Sequence, residues 1–120
     1  MIIDFKKLSS SFKFAATGLR DIFREENAFK AELCMGILVA IAAFYFNLTS
    51  LEKVAVFIVI FFVIFAELIN SVIERVMDVY NPRFDPKVKK IKDICSAIVL
   101  LSCIMAVIVG VIVFIDKLPI

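Results

Sequence analysis

The run VAVFIVIFFVIF, residues 54–65, continues directly into AELINSVIERVMD, residues 66–78. The first half contains no polar side chain, so a helix built from it has no face to offer water. A soluble three-helix bundle would need such a face, and a membrane span would not. The second half then places Glu67, Asn70, Ser71, Glu74 and Asp78 immediately beyond the apolar run. A carboxylate in or beside hydrocarbon costs roughly 3 kcal/mol on insertion scales. Water, a cation or a neighbouring chain has to offset that cost.

The rest of the composition agrees with a membrane protein of one domain. The chain has 120 residues, is 62% hydrophobic and has a mean hydropathy of +1.00; soluble domains are about half apolar. It still carries 14 basic and 12 acidic residues, for a net charge of +2, too balanced to argue for a nucleic-acid partner. The absence of His excludes His-based catalysis and His metal sites. Cys34, Cys95 and Cys103 fall inside apolar runs without metal-ligand spacing, and read as buried small apolar residues.

Two further spans flank the central one. Residues 94–115 contain no charge and are long enough to cross a hydrocarbon core of about 30 Å. The first span covers about residues 31–48, the second 54–74 and the third 94–115. Ahead of them, Phe5, Leu8, Phe12, Ala15, Leu19, Ile22 and Phe23 recur at helical spacing, with Lys6, Lys7, Lys13, Arg20 and Arg24 mainly between them. That pattern predicts an amphipathic arm over residues 1–28, lying in the interface of an anionic leaflet, with Gly18 as its weak point. It lacks the apolar run and cleavage site of a signal peptide. The expected fold class is all-α: an N-terminal surface helix followed by three transmembrane helices. Six Lys or Arg lie in residues 1–30 and six in residues 75–93, against only Lys53 in the turn at 47–53. The positive-inside rule places the arm and the 75–93 segment in the cytoplasm. NPRFDP, residues 81–86, marks the loop between spans two and three.

On a helix, Glu67, Asn70, Ser71, Glu74 and Asp78 share an arc of roughly 100°, with Glu67 and Glu74 about 10 Å apart along the axis. Such a stripe could simply join helices through Asn and Ser hydrogen bonds. Three like-charged groups on one face fit better with a water-accessible cation site. Glu25, Glu26 and Glu32 stand near the start of span one and Asp93 at the start of span three, with Lys87, Lys89, Lys90 and Lys92 on the same side. Oxygen ligands beside lysines suit Mg²⁺ holding phosphates, although KVKKIK alone could equally bind lipid headgroups. The implied chemistry is phosphate transfer from a water-soluble nucleotide to a lipid hydroxyl, with Glu67 as proton acceptor. Neither GxxxxGK[ST] nor GxGxxG occurs, so no standard nucleotide-binding fold is available. A non-enzymatic oligomer, with the acids lining a cation pore, is the alternative from another class.

The motif E-x-x-N-[ST]-x-[IV]-E-x-x-x-D, matched by Glu67, Asn70, Ser71, Ile73, Glu74 and Asp78, resembles that of the small prokaryotic diacylglycerol kinase and undecaprenol kinase family. GLRDIFREENAFKAE, residues 18–32, is similar to the family's junction between arm and first span. IKDICSAIVL, residues 91–100, is similar to the start of its third span. The resemblance implies a homotrimeric lipid kinase of the bacterial cell membrane that uses Mg²⁺ and ATP. In it Glu67 is the general base, oriented by Asn70; Glu26 and Glu74 hold the metal on the ATP phosphates; Asp78 orders the site, with Glu32 as a further supporting acid. Lys92 and Asp93 would contact nucleotide, with Arg83 and Asp85 in the loop bordering it. Lys7 and Phe14 stand where some members have Arg and Tyr against the nucleotide, and Phe14 brings no hydroxyl. The loop DPKVKKIKD is closer to the undecaprenol kinase branch, which favours undecaprenol over diacylglycerol as the substrate.

Overall fold

The computed structural model describes residues 2–80 and 85–119. Helix α1 runs Phe5–Glu25, α2 Asn27–Tyr45, α3 Ser50–Tyr80 and α4 Pro86–Phe114, followed by a 3₁₀ turn at Ile115–Lys117. Among the described residues there is no strand. Helices α2, α3 and α4 are each long and apolar enough to cross a membrane. The central helix is α3, packed against α2 on one side and α4 on the other.

The arm starts where Asp4 accepts a hydrogen bond from the Lys7 backbone N–H at 3.1 Å, the usual way a short acceptor satisfies a free amide at a helix start. It continues unbroken through Gly18 and buries none of its residues, so Phe5, Phe12, Phe14 and Leu19 lie open. One extended residue, Glu26 (φ −110°, ψ 111°), separates it from α2. A three-helix bundle alone would be long and narrow. The extents of 52 × 47 × 28 Å therefore require α1 to project sideways at this bend.

The α2–α3 turn is fixed by local chemistry. Asn47 takes the left-handed conformation (φ 56°) that short polar side chains tolerate. The amides of Asn47 and Leu48 donate back to the Phe44 and Ala43 carbonyls at 3.3 and 3.2 Å, which closes a Schellman motif. This stops α2 at Tyr45, short of the span end expected at residue 48. Thr49 and Glu52 then exchange backbone and side-chain hydrogen bonds of 2.9 and 3.2 Å in a reciprocal capping box that starts α3. Around this turn sits the tightest apolar packing: Ala43, Leu48, Val56 and Val113, with Phe114 edge-on to Phe46.

Both longer helices outrun their apolar spans. Helix α3 continues past residue 74 to Tyr80, and α4 begins at Pro86, well before residue 94. Hydrocarbon thickness limits the apolar stretch but not the helix, which extends into the polar boundary. Asp85 starts α4 by accepting the Lys87 amide at 2.8 Å, with Pro86 at the first helical position. Gly36 faces Ile60 so closely that a Cβ there would lie 2.9 Å from the Ile60 Cγ2. A small residue is what lets two membrane helices cross at that distance. Of the cysteines expected to be buried, Cys95 is buried, Cys103 half-buried and Cys34 exposed. A thiol is apolar enough to sit on the outside of a span, so periodicity had no means to distinguish these places.

Candidate active site

The polar stripe of α3 faces inward at the end of the bundle where α1, α2 and α4 converge. Glu67, Asn70 and Ser71 are all buried, Ser71 to 1% exposure. Ile69 and Val72, which flank Asn70 and Ser71, are exposed. The helical period thus turns hydrocarbon outward and polar groups inward within the same turns. Asn70 Nδ2 donates to Glu74 Oε1 at 3.2 Å, one turn further along.

Carboxylates from two helices and the bend gather here. Glu26 and Glu74 lie within electrostatic reach of Glu67, and Glu67 within that of Glu32 on α2. On α4, Cys103 is close enough to feel both Glu32 and Glu67, and buried Ser102 donates to the Val99 carbonyl at 2.7 Å. Glu32 Oε2, Asn70 Oδ1 and Ser71 Oγ are buried without a hydrogen-bond partner among the described residues. An orphaned polar atom of this kind costs about 1–3 kcal/mol. Three together mark a place built to receive something polar.

Basic residues border the cluster. Arg75 Nη2 binds Glu25 Oε2 at 2.6 Å and Glu26 Oε1 at 3.3 Å, joining α3 to the end of the arm. Lys92 on α4 pairs with Asp78 on α3, and Lys89 with Asp93 one turn apart at 2.7 Å. Asp85 sits at the start of α4, while Arg83 lies outside the described residues. The cluster therefore unites Glu26, Glu32, Glu67, Asn70 and Glu74, with Asp78 and Lys92 at its rim. Lys7 and Phe14 are not brought to it within one chain. They are exposed on α1, about 27 and 16 Å along the helix axis from Glu25.

Two features escaped the sequence reading. Ser102 resembles any other small polar residue in an apolar span. Arg75 stands roughly 40° beyond the edge of the acidic arc, a position from which a long side chain reaches the α1–α2 bend. Its place directly after Glu74 was the available signal.

Residues 13–114 match the prokaryotic diacylglycerol kinase family, and with them the whole stripe and all three spans. The chain belongs to that family. It is similar to the undecaprenol kinase of Bacillus subtilis (strain 168), at 26% identity over 115 residues, which cover 96% of this chain and 94% of the relative. It is also similar to the diacylglycerol kinases of two Helicobacter pylori strains, at 32% and 31% identity over 100 residues, 83% of this chain and 78% of each relative. The chain is thus a membrane lipid kinase with an all-helical fold. The family favours the kinase reading of the acidic stripe over the cation pore, and the orphaned acceptors gain a chemical context.

The donor set also fits a hard divalent cation. Among the described residues, no three acidic or sulfur side chains converge as a complete metal cage. Mg²⁺ does not need one, since it is usually held by one or two carboxylates together with substrate phosphates and water. Glu26 and Glu74, both within electrostatic reach of Glu67, and the unpartnered Asn70 Oδ1 offer oxygen atoms of that kind.

Proposed function

We propose that this lipid kinase transfers the γ-phosphate of ATP, with Mg²⁺, to the hydroxyl of undecaprenol at the cytoplasmic face of the cell membrane. The observation that carries the reading is the buried Glu67, set at the junction of the apolar run with the polar stripe and flanked by unpartnered acceptors. A lipid hydroxyl reaches that depth from the hydrocarbon side and a nucleotide reaches it from the water side.

Glu67 accepts the proton of the lipid hydroxyl. The alcohol oxygen forms a bond to the γ-phosphorus, the bond from that phosphorus to the β–γ bridging oxygen breaks, and ADP leaves. Asn70, one turn from the base, restrains Glu74 through its amide. Glu26 and Glu74 would hold Mg²⁺, which when bound neutralises charge on the phosphoryl group in transfer. Lys92 supplies a point charge for the nucleotide phosphates, with Asp78 holding it at the rim. Asp93, Asp85 and Arg83 border the nucleotide. A homotrimer completes the site: a neighbouring subunit brings its own arm, with Lys7 and Phe14, to the exposed rim at Asp78 and Lys92.

Two observations favour undecaprenol. The relative named for that substrate aligns over nearly the whole of both chains. A groove of about 760 Å³ between α2, α3 and α4 runs from Glu32 past Gly36, Ile60, Val107 and Gly110 to Leu118 and is apolar beyond its first residues. A polyprenol has no polar atom except its terminal hydroxyl, so an apolar groove ending at Glu32, within electrostatic reach of Glu67, suits it. The two ester groups of a diacylglycerol would need donors close to that end. The test offers purified kinase in mixed micelles Mg²⁺-ATP with undecaprenol or diacylglycerol. Faster transfer to undecaprenol is expected. Faster transfer to diacylglycerol would overturn the lipid assignment, and transfer to neither would overturn the nucleotide and metal assignment.

A further inference from the structure

We propose that Arg75 is a positioning residue that ties the hinge between the arm and the first span to α3, so that Glu26 is held beside Glu67 and Glu74 before nucleotide arrives. The inference rests on the site proposed above and adds a residue with no role in it. Glu26 is the single extended residue between two helices. Its own backbone fixes it only at the ends: its amide donates to Ile22 at 2.9 Å and its carbonyl accepts from Lys30 at 3.2 Å. Neither bond determines how α1 stands relative to α3.

The carboxylates around the hinge make its placement unfavourable by themselves. Glu26 lies within electrostatic reach of Glu67, as Glu74 does, and like charges at such a junction push the arm away from the bundle. Arg75 reverses the sign of that interaction. One guanidinium nitrogen reaches both Glu25 and Glu26, across some fifty residues of chain. Glu26 is the more shielded partner, with 28% of its side chain exposed against 55% for Glu25. The short bond to Glu25 is therefore the anchor, and the longer one to Glu26 is the bond that a cation can replace without releasing the arm. Lysine would serve poorly at this position, because its ammonium is more strongly hydrated and sits on a flexible stem, whereas the rigid guanidinium is pre-organised for ion pairing.

Two readouts test the proposal in the full-length protein in mixed micelles: steady-state kinetics in Mg²⁺-ATP, and the rate of tryptic cleavage after the exposed Arg24, measured without nucleotide or metal. Arg75→Ala is expected to raise KM for Mg²⁺-ATP about fivefold, the scale of a partly exposed but doubly engaged ion pair. Its kcat is expected to fall no more than about twofold, and cleavage after Arg24 to accelerate. Arg75→Lys is expected to recover less than half of both effects. Glu25→Gln is expected to speed cleavage as Arg75→Ala does, and to add little when combined with it. A fall in kcat at unchanged KM in both Arg75 variants would place the guanidinium on the reacting phosphate and overturn the proposal. Cleavage after Arg24 at the wild-type rate in Arg75→Ala would overturn it as well. If the wild-type protein transferred no phosphate from Mg²⁺-ATP, the proposed function would fail while the cleavage series still decided whether Arg75 holds the hinge.

Discussion

The two ends of the three-helix bundle are built on opposite principles. At the end of the α2–α3 turn, polar groups are satisfied locally: the Asn47 turn, the Thr49–Glu52 capping box and the Glu52–Lys117 pair at 3.4 Å use neighbours or the adjoining helix terminus. Apolar residues fill the interior there, with Ala43 wholly buried against Val56 and Val113. At the other end, polar groups are buried and left partly unsatisfied. Glu67, Asn70 and Ser71 occupy interior positions that the first end gives to alanine and valine. A structure selected only for stability would treat both ends alike. The difference is what favours the second end as the place proposed for binding and chemistry.

The contrast breaks most severely at Glu67. Glu67→Gln is expected to lower phosphoryl transfer about a thousandfold, the usual scale for losing a positioned general base. Glu74→Gln comes next: it removes a proposed metal ligand and the acceptor of the Asn70 amide, so both nucleotide affinity and transfer are expected to fall. Measurement of KM and kcat checks that ordering, and equal losses of kcat alone in the two variants would contradict the division of roles. Gly36→Leu acts on packing, because any side chain there meets Ile60. It is expected to destabilise the bundle by about 1–3 kcal/mol, seen as a lower thermal midpoint, with KM for nucleotide little changed. Lys117→Gln is the smallest perturbation. It breaks only the Glu52 pair at the stable end, so transfer is expected at the wild-type rate, and a large loss would show that the two ends are not independent.

The sequence made the spans and the stripe legible for different reasons. VAVFIVIFFVIF has no polar face, and only a membrane accommodates that. The arc from Glu67 to Asp78 follows from helical geometry once the span is accepted. The inward direction of the arc did not follow from the sequence, because it depends on α2 and α4 covering that side while Ile69 and Val72 turn outward. The exposure of Cys34 and the burial of Ser102 were hidden for the same reason: in a span, periodicity of polarity is too weak to separate the inside of a bundle from lipid. Arg75 was counted only among the basic residues that orient the chain. Its contacts join positions some fifty residues apart, which no local pattern reports.

In the proposed reaction, the buried carboxylate at the junction of apolar run and polar stripe takes the proton from the lipid alcohol. The most direct measurement is made on Glu67→Gln in mixed micelles: Mg²⁺-ATP binding by equilibrium titration and lipid phosphorylation in a single turnover, both against wild type. Nucleotide affinity is expected to stay within about threefold of wild type, since this residue is not proposed to hold the metal, with transfer nearly abolished. Transfer at the wild-type rate would contradict it, and a loss of nucleotide binding large enough to explain the loss of transfer would move Glu67 from base to ligand.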